Sequence, residues 1–309
     1  TVFSTPAIPR RSKGAVMWSS RSGAVAVLIC ALCAPSTLLA ADPLAIRIEA
    51  GFASDDNVTR ARNGPDKLSD RSFSVDLGKD LIVPVSEHTR LALLGFLGGE
   101  RFVNHSGLSR MYYGVQGEYQ YRTSGDFFAP TFALFARAAA DQYESNLRDG
   151  YRYSVGINVR RSLTDGIQLF AALTHDAHDA SSAVFDTEED SVRLNLDFSV
   201  SNRSTIYLGG EYRHGDVVST RRTALANIDI AKAIVRDDVF TDSARFSYRA
   251  RASTVVATLG YNLALDEKQA LDFSWRWVQS APAVPPGFAT PDKIRYVVNQ
   301  LTAAYLIRF

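Results

Sequence analysis

The chain encodes an all-β architecture, a transmembrane antiparallel up-and-down β-barrel of about twelve strands, and three observations carry that reading. Apolar and polar residues alternate with a period of two along most of the chain after Ala41. The links between the alternating runs switch between short turns and long polar loops. The final stretch, Leu301 to Phe309, puts Leu301, Ala303, Tyr305, Ile307 and Phe309 on one face, with Thr302, Ala304, Leu306 and Arg308 on the other. A chain end in water frays, whereas a closing strand in a bilayer has to pair every backbone group.

The strands are expected at roughly 44–54, 69–84, 88–103, 108–122, 127–142, 150–163, 166–179, 188–201, 204–218, 243–264, 268–279 and 293–309. In the first, Ile46, Ile48, Ala50 and Phe52 oppose Arg47, Glu49 and Gly51. In the fourth, Met111, Tyr113, Val115, Gly117, Tyr119 and Tyr121 oppose Arg110, Gly114, Gln116, Glu118 and Gln120. Tyr151 to Val159, Val192 to Val200 and Leu271 to Trp277 repeat the pattern, with aromatics near strand ends. Two strands resist it. His88 to Phe102 is apolar on both parities, and Phe246 and Tyr248 share one parity while Val255, Ala257, Leu259 and Tyr261 share the other, which predicts a bulge near Arg251.

Short turns fall at 86–88, 123–126, 164–166, 201–203 and 266–268, and longer links at 54–68, 180–187, 219–242 and 279–292. An even strand count with short turns on one side puts both chain ends on the periplasmic side. Within the long links, Ala224 to Val235 reads as a short helix with an apolar face of Ile228, Ile230, Ile234 and Val235, and Ala281 to Pro291 as a proline-stiffened loop.

Ahead of the strands, Met17 to Ala41 has the plan of a secretory signal: Arg21, an apolar run from Gly23 to Ala34, and small residues Ala40 and Ala41 for cleavage. Residues 1–41 are therefore expected to be an upstream extension and a cleaved signal starting at Met17, and 42–309 the barrel. Cys30 and Cys33 fall inside the signal, so the mature chain has no thiol chemistry. Removing 1–41 takes away four basic residues and no acid, leaving 30 basic against 33 acidic residues. No basic excess of the nucleic-acid-binding kind remains.

With apolar parity facing lipid, the opposite parity lines a lumen. It carries Arg47, Glu49, Asp76, Arg110, Glu118, Arg137, Asp141, Arg152, Arg160, Arg193, Asp197, Glu211, Arg213, Asp272 and Arg276. Charges in a narrow, partly dehydrated tube need partners, and arginine forks carboxylates in bidentate pairs. The two signs nearly balance, which argues against strong anion or cation selectivity. Eight strands fill a barrel with side chains and sixteen leave a wide pore, so twelve predict a narrow path.

Candidate sites outside the lumen are sparse. His175 and His178 point to opposite strand faces and cannot chelate one metal. Asp55, Asp56 and Asn57 present hard oxygens suited either to calcium or to a turn. No His-x-Ser pair sits on a strand, and His105-Ser106 falls in a loop. The expectation is no metal, no cofactor and no enzyme activity.

The C-terminal pattern, with Phe309 last and Tyr305 four residues earlier, resembles the closing-strand signature of Gram-negative outer-membrane β-barrels. The resemblance implies an outer-membrane location among lipids and lipopolysaccharide, with Tyr305 and Phe309 as the insertion signal read by the barrel-assembly machinery. Gly51 to Val58 (GFASDDNV) resembles the opening strand of surface lipoprotein assembly modifier and exopolysaccharide-export barrels. The first expectation is a porin-like narrow passive channel for small polar solutes. The second, from the opening-strand resemblance, is a secretion barrel working with a periplasmic partner. The third is a rim-located lipid or peptide hydrolase.

Overall fold

The computed structural model describes residues 46–62, 64–223, 228–283 and 295–309. The expected signal segment and its cysteines lie outside the described residues. Thirteen strands run in chain order: β1 (Ile46–Asp55), β2 (Asp70–Pro84), β3 (Thr89–Phe102), β4 (Arg110–Arg122), β5 (Thr131–Tyr143), β6 (Gly150–Thr164), β7 (Ile167–Ala180), β8 (Thr187–Ser201), β9 (Ser204–Arg222), β10 (Ala233–Arg236), β11 (Arg245–Ala264), β12 (Gln269–Pro282) and β13 (Tyr296–Arg308). Every strand but β10 pairs antiparallel with two neighbours around the ring. β9 pairs with β11 directly, and β1 pairs with β13, so twelve strands close the sheet. At the seam Arg47 faces Arg308 and Asp55 faces Gln300, and Phe309 N–H donates to Ile46 C=O at 3.0 Å. The ring of twelve strands therefore has no free edge, the condition a spanning β-structure must meet.

Period-two alternation decides which way each side chain points. Tyr113, Val155, Trp275 and Leu301 stand outward and are 55, 48, 41 and 60 % exposed, a greasy belt that only lipid can cover. Outward Tyr119 and Tyr121 lie towards the short-turn end, and Tyr151, Tyr153 and Tyr212 towards the long-loop end, as interfacial girdles do. The protein is an outer-membrane β-barrel. Its long-loop end is called the outer end below.

The register also settles the two ambiguous strands. In β3, Leu91, Leu93 and Leu97 face lipid, while Ala92, Leu94, Phe96 and Gly98 face the interior. The double apolar parity is real because Phe96 lies over Gly114 of β4, where any Cβ would meet its ring at 2.6 Å. In β11 the expected bulge is absent. β9 and β11 pair without a break from Ser204↔Leu263 to Arg222↔Arg245. Val255, Leu259 and Tyr261 face lipid, and Tyr248, 4 % exposed, points inward beneath the outer loops. Above the membrane level the loops supply an apolar interior, so the apolar face can change sides without a bulge.

The expected helix over 224–235 is corrected at its end, while Ile228 keeps a helical backbone. Ala224 to Asn227 lie outside the described residues, but Ala233, Ile234 and Val235 belong to β10, which pairs with Phe246 to Arg249 of β11. β12 reaches β11 only as far as Pro282↔Ala252, which strands the outer backbone groups of β11 on that side. β10 satisfies them, and that demand outweighs a helical propensity. The proline-stiffened loop expected over Ala281–Pro291 is likewise revised at its start: Ala281 and Pro282 finish β12, and residues 284–294 lie outside the described ones.

Candidate functional site

The interior is a ladder of ionic and hydroxyl groups. Strand pairing brings inward-facing carboxylates opposite inward arginines, and several pair tightly. Arg193 and Arg213 hold Glu211 at 3.2 and 2.9 Å, and Arg213 also reaches Glu189 at 3.1 Å. Arg160 reaches Glu118 at 3.5 Å. Arg110 bridges Glu100 and Asp141, both at 3.4 Å, while Arg152 grips the other oxygen of Asp141. Tyr143 Oη accepts from Arg110 and Arg152 at 3.4 and 3.2 Å, tying the two guanidiniums into one waist.

Not every carboxylate relies on arginine. Tyr112 Oη donates to Asp76, and Tyr207 Oη donates to Asp272 at 2.9 Å. Both rings lie across a glycine of the adjacent strand: a Cβ on Gly98 would sit 2.6 Å from the Tyr112 ring, and one on Gly260 would overlap the Tyr207 ring. Tyr112 and Tyr207 escape a sequence reading that assigns aromatics to lipid. The available signal is the inward glycine on the next strand, which means something only once the register is known.

Two polar cavities lie in series along the interior. The inner one, ≈ 510 Å³, is lined by Arg47, Glu49, Asp76, Arg137, Asp176 and the waist. Among the described residues Arg137 has no carboxylate partner there, and it stacks over Phe96 at 4.2 Å. The outer one, ≈ 580 Å³, is lined by Asp55, Arg60, Glu100, Arg148, His178 and Arg276. Arg110 and Arg152 line both, so the waist separates the chambers. Asp197 faces the interior opposite Tyr207, below the level of Glu211.

Above the outer chamber the loops form a roof. The loop over 223–244 leaves between β9 and β11, and the loop over 103–109 leaves between β3 and β4, six strands away in either direction around the ring. Yet Phe240 stacks on His105 with ring centroids 5.0 Å apart, and a Cβ on Gly107 would meet Val239 at 2.8 Å. The part of this loop around Val239 and Phe240 therefore crosses the mouth. Its anchor is Asp237, 1 % exposed, which accepts from Arg148 of the 144–149 loop at 2.7 Å, from Ser247 at 2.6 Å and from Thr220 at 3.1 Å. Burial pushes the Asp237 carboxyl up, but the Arg148 guanidinium and the donated hydrogen bonds outweigh it and hold it below the ordinary carboxylate value. From another side the 56–69 loop leans in: Thr220 N–H donates to Thr59 C=O at 2.8 Å and Arg245 donates to Pro65 C=O at 2.7 Å.

Asp55, Asp56 and Asn57, weighed earlier as calcium ligands, serve this roof instead. Asp55 accepts from Arg60 and Gln300, Asp56 from Lys67 and Asn299, and Asn57 braces Ala61 and Val297. Their oxygens point to separate partners, and no metal-holding group of His, Cys, Asp and Glu occurs among the described residues.

One histidine–serine pair does form, and a single strand's sequence could not reveal it. His214 of β9 and Ser253 of β11 are cross-strand neighbours on the outward face, with Nδ1 to Oγ at 3.2 Å. Arg251 Nε donates to His214 Nε2 at 3.1 Å. A nitrogen that accepts from arginine carries no proton, so Nδ1 bears the hydrogen and donates to Ser253. That tautomer cannot take the serine's proton, which is what nucleophilic catalysis needs. His105, also at the outer end, gives its Nδ1 to Asp70 at 2.8 Å rather than to Ser106.

At the seam Tyr305 and Phe309 both face outward from a strand paired on either side. No protein-family model matches the chain, and no curated protein does. Among solved structures, an outer membrane channel from Pseudomonas putida F1 is similar at a TM-score of 0.53 and 10 % identity, over 89 % of this chain and 99 % of that one. The NanC porin matches at 0.45 and 9 %, over 86 % and 100 %, and the KdgM porin at 0.43 and 8 %, over 85 % and 99 %. At 10 % identity the likeness to the Pseudomonas putida F1 channel speaks for the barrel fold alone.

Proposed function

We propose that this protein is a gated outer-membrane channel for small polar solutes. The observation that carries the reading is the pair of polar chambers in series inside a ring of strands with no free edge. A barrel serving only as an anchor could fill that space with side chains, as eight-stranded barrels do. Here a charged lining is held open by its own pairs, with Arg110, Arg152, Asp141 and Tyr143 as the narrow point. The roof over the outer chamber is the gate. The similarity to an outer membrane channel is compatible with this reading but does not carry it.

A hydrolase role finds no support at the His214–Ser253 pair, where Arg251 fixes the unproductive tautomer. Tyr305 and Phe309 are proposed as the insertion signal recognised by the assembly machinery, before the seam with β1 closes.

The test is single-channel recording in planar bilayers with the purified chain. Discrete conductance steps whose size changes on Arg152→Ala or Arg193→Ala are expected. A barrel that stays silent at all voltages, even after the Asp237→Asn substitution that loosens the roof, refutes the channel reading.

A further inference from the structure

Counting which polar groups of the outer chamber are already satisfied tells what guest it suits. Its two lining carboxylates are occupied. Asp55 accepts from Arg60 at 2.8 Å, from Gln300 at 2.7 Å and from Asn57 N–H at 2.7 Å. Glu100 accepts from Ser72 at 2.9 Å and pairs with Arg110 at 3.4 Å. Four of the five lining arginines are matched: Arg60 with Asp55, Arg110 and Arg152 with Asp141, and Arg148 with Asp237. The fifth is not. Among the described residues Arg276 has one side-chain partner, the neutral Gln300 Oε1 at 3.4 Å. A guanidinium has five N–H groups and no acceptor, so most of its hydrogen-bonding capacity faces the cavity unused. On another wall His178, 8 % exposed, keeps Nε2 without any partner.

The chamber thus offers donors and one surplus positive charge, with its own anions already taken. We infer that it is a binding site for a small organic anion, a carboxylate on a hydroxylated body, gripped by the Arg276 fork. A carboxylate matches the planar guanidinium in bidentate fashion, and hydroxyls meet the waist. The volume of ≈ 580 Å³ sets the size class, within the range of small-molecule pockets. The inference deepens the channel reading only in that the guest reaches the chamber through the lumen. The near balance of charge along the whole interior does not conflict with it, because paired charges hold each other and in the outer chamber Arg276 alone is left over, whereas Arg137 of the inner chamber is stacked on Phe96.

Isothermal titration of the detergent-solubilised full chain with potassium gluconate, against sorbitol as the uncharged analogue, tests it, with bilayer conductance recorded on the same preparation. Gluconate is expected to bind and sorbitol to bind at least about tenfold more weakly. Arg276→Gln is expected to weaken gluconate by about ten- to a hundredfold, the worth of a charge-assisted pair, and Arg276→Lys to restore part of it. A heat-dependent shift in gel mobility verifies that each variant is folded, and Lys268→Gln, on an exposed short turn outside both chambers, should leave gluconate binding unchanged. Equal affinity for gluconate and sorbitol, or an undiminished gluconate affinity in folded Arg276→Gln, overturns the inference even where the barrel conducts. Gluconate binding in a barrel that never conducts upholds the site and removes the channel.

Discussion

Asp237→Asn should open the mouth. Arg148 and Asp237 meet at 2.7 Å with side chains 8 and 0 % exposed, so neither can fall back on water when the other is lost, although Arg148 keeps Asp238 at 3.7 Å, which favours the low end of the cost. Removing one partner of such a pair costs about 3–5 kcal/mol, because the remaining charge stays buried and uncompensated. Asparagine keeps the shape and can still accept from Ser247 and Thr220, so the lower end, about 3 kcal/mol, applies. At about 1.4 kcal/mol per decade that shifts the closed-to-open ratio roughly a hundredfold. A channel open about 0.1 % of the time would become open about 10 % of the time. Planar-bilayer recording reads this as open probability, with unit conductance unchanged because the waist is untouched. Replacing both partners, Arg148→Met with Asp237→Leu, should return the closed state, since an apolar pair of similar size can substitute for a buried ion pair. An Asp237→Asn channel with wild-type open probability, or a double variant more open than the single one, would refute the gate.

Other expectations follow from the same coordinates. Because Asp237 is held below its ordinary value of 3.8, the cap's electrostatic contribution is complete above that value and is lost as pH falls through the lowered one; open probability measured from pH 7 downward should stay flat and rise only below about 3.8. Gly260→Val should drive the Tyr207 ring off its seat and break its bond to Asp272, costing about 1–3 kcal/mol in urea unfolding, whereas Tyr207→Phe should cost nearer 1 kcal/mol because only the hydroxyl contact goes. Val155→Arg places a charge on the lipid belt and should cost about 2–4 kcal/mol in barrel stability; an unchanged unfolding midpoint in vesicles would mean that Val155 does not face lipid.

What the sequence made legible was whatever obeys a period of two. Arg110 and Tyr113, or Arg152 and Val155, are assigned to opposite faces by parity alone, and the strand ends then follow from turn residues. The rest depends on which strand stands beside which. Phe96 faces inward because Gly114 of the next strand leaves it room, and Tyr207 because Gly260 does; along either strand alone these look like lipid-facing aromatics. The 224–235 segment is helical by its own pattern, and its end, Ala233 to Val235, is a strand by its neighbour's unmet backbone. Arg148 and Asp237 are 89 residues apart, and no local period links them. His214 and Ser253 are meaningful only as a cross-strand pair, and even then Arg251 decides what the pair can do.

These same neighbour relations say how the gate has to move. The roots of the 223–244 loop are not free to swing, because β9 and β11 remain paired out to Arg222↔Arg245 and β10 adds a third strand from Ala233 to Arg236. The freedom begins beyond Arg236. Among the described residues, 237–240 carry the contacts with the far rim: Asp237 to Arg148, Asp238 to Ser145 at 2.6 Å, Val239 against Gly107, and Phe240 on His105. Opening therefore has to release these four neighbours together while the three-stranded base stays still. The closed state is cooperative for that reason, and a lesion at Asp237 should loosen Phe240 and His105 as well. Hydrogen exchange at Leu108 and Ser109 amides, which donate to His105 and Ser106 carbonyls at 2.9 and 2.7 Å, reports on that far rim. In Asp237→Asn those amides should lose protection while the Arg222–Arg245 base keeps it; protection lost at the base first would place the hinge in the sheet instead.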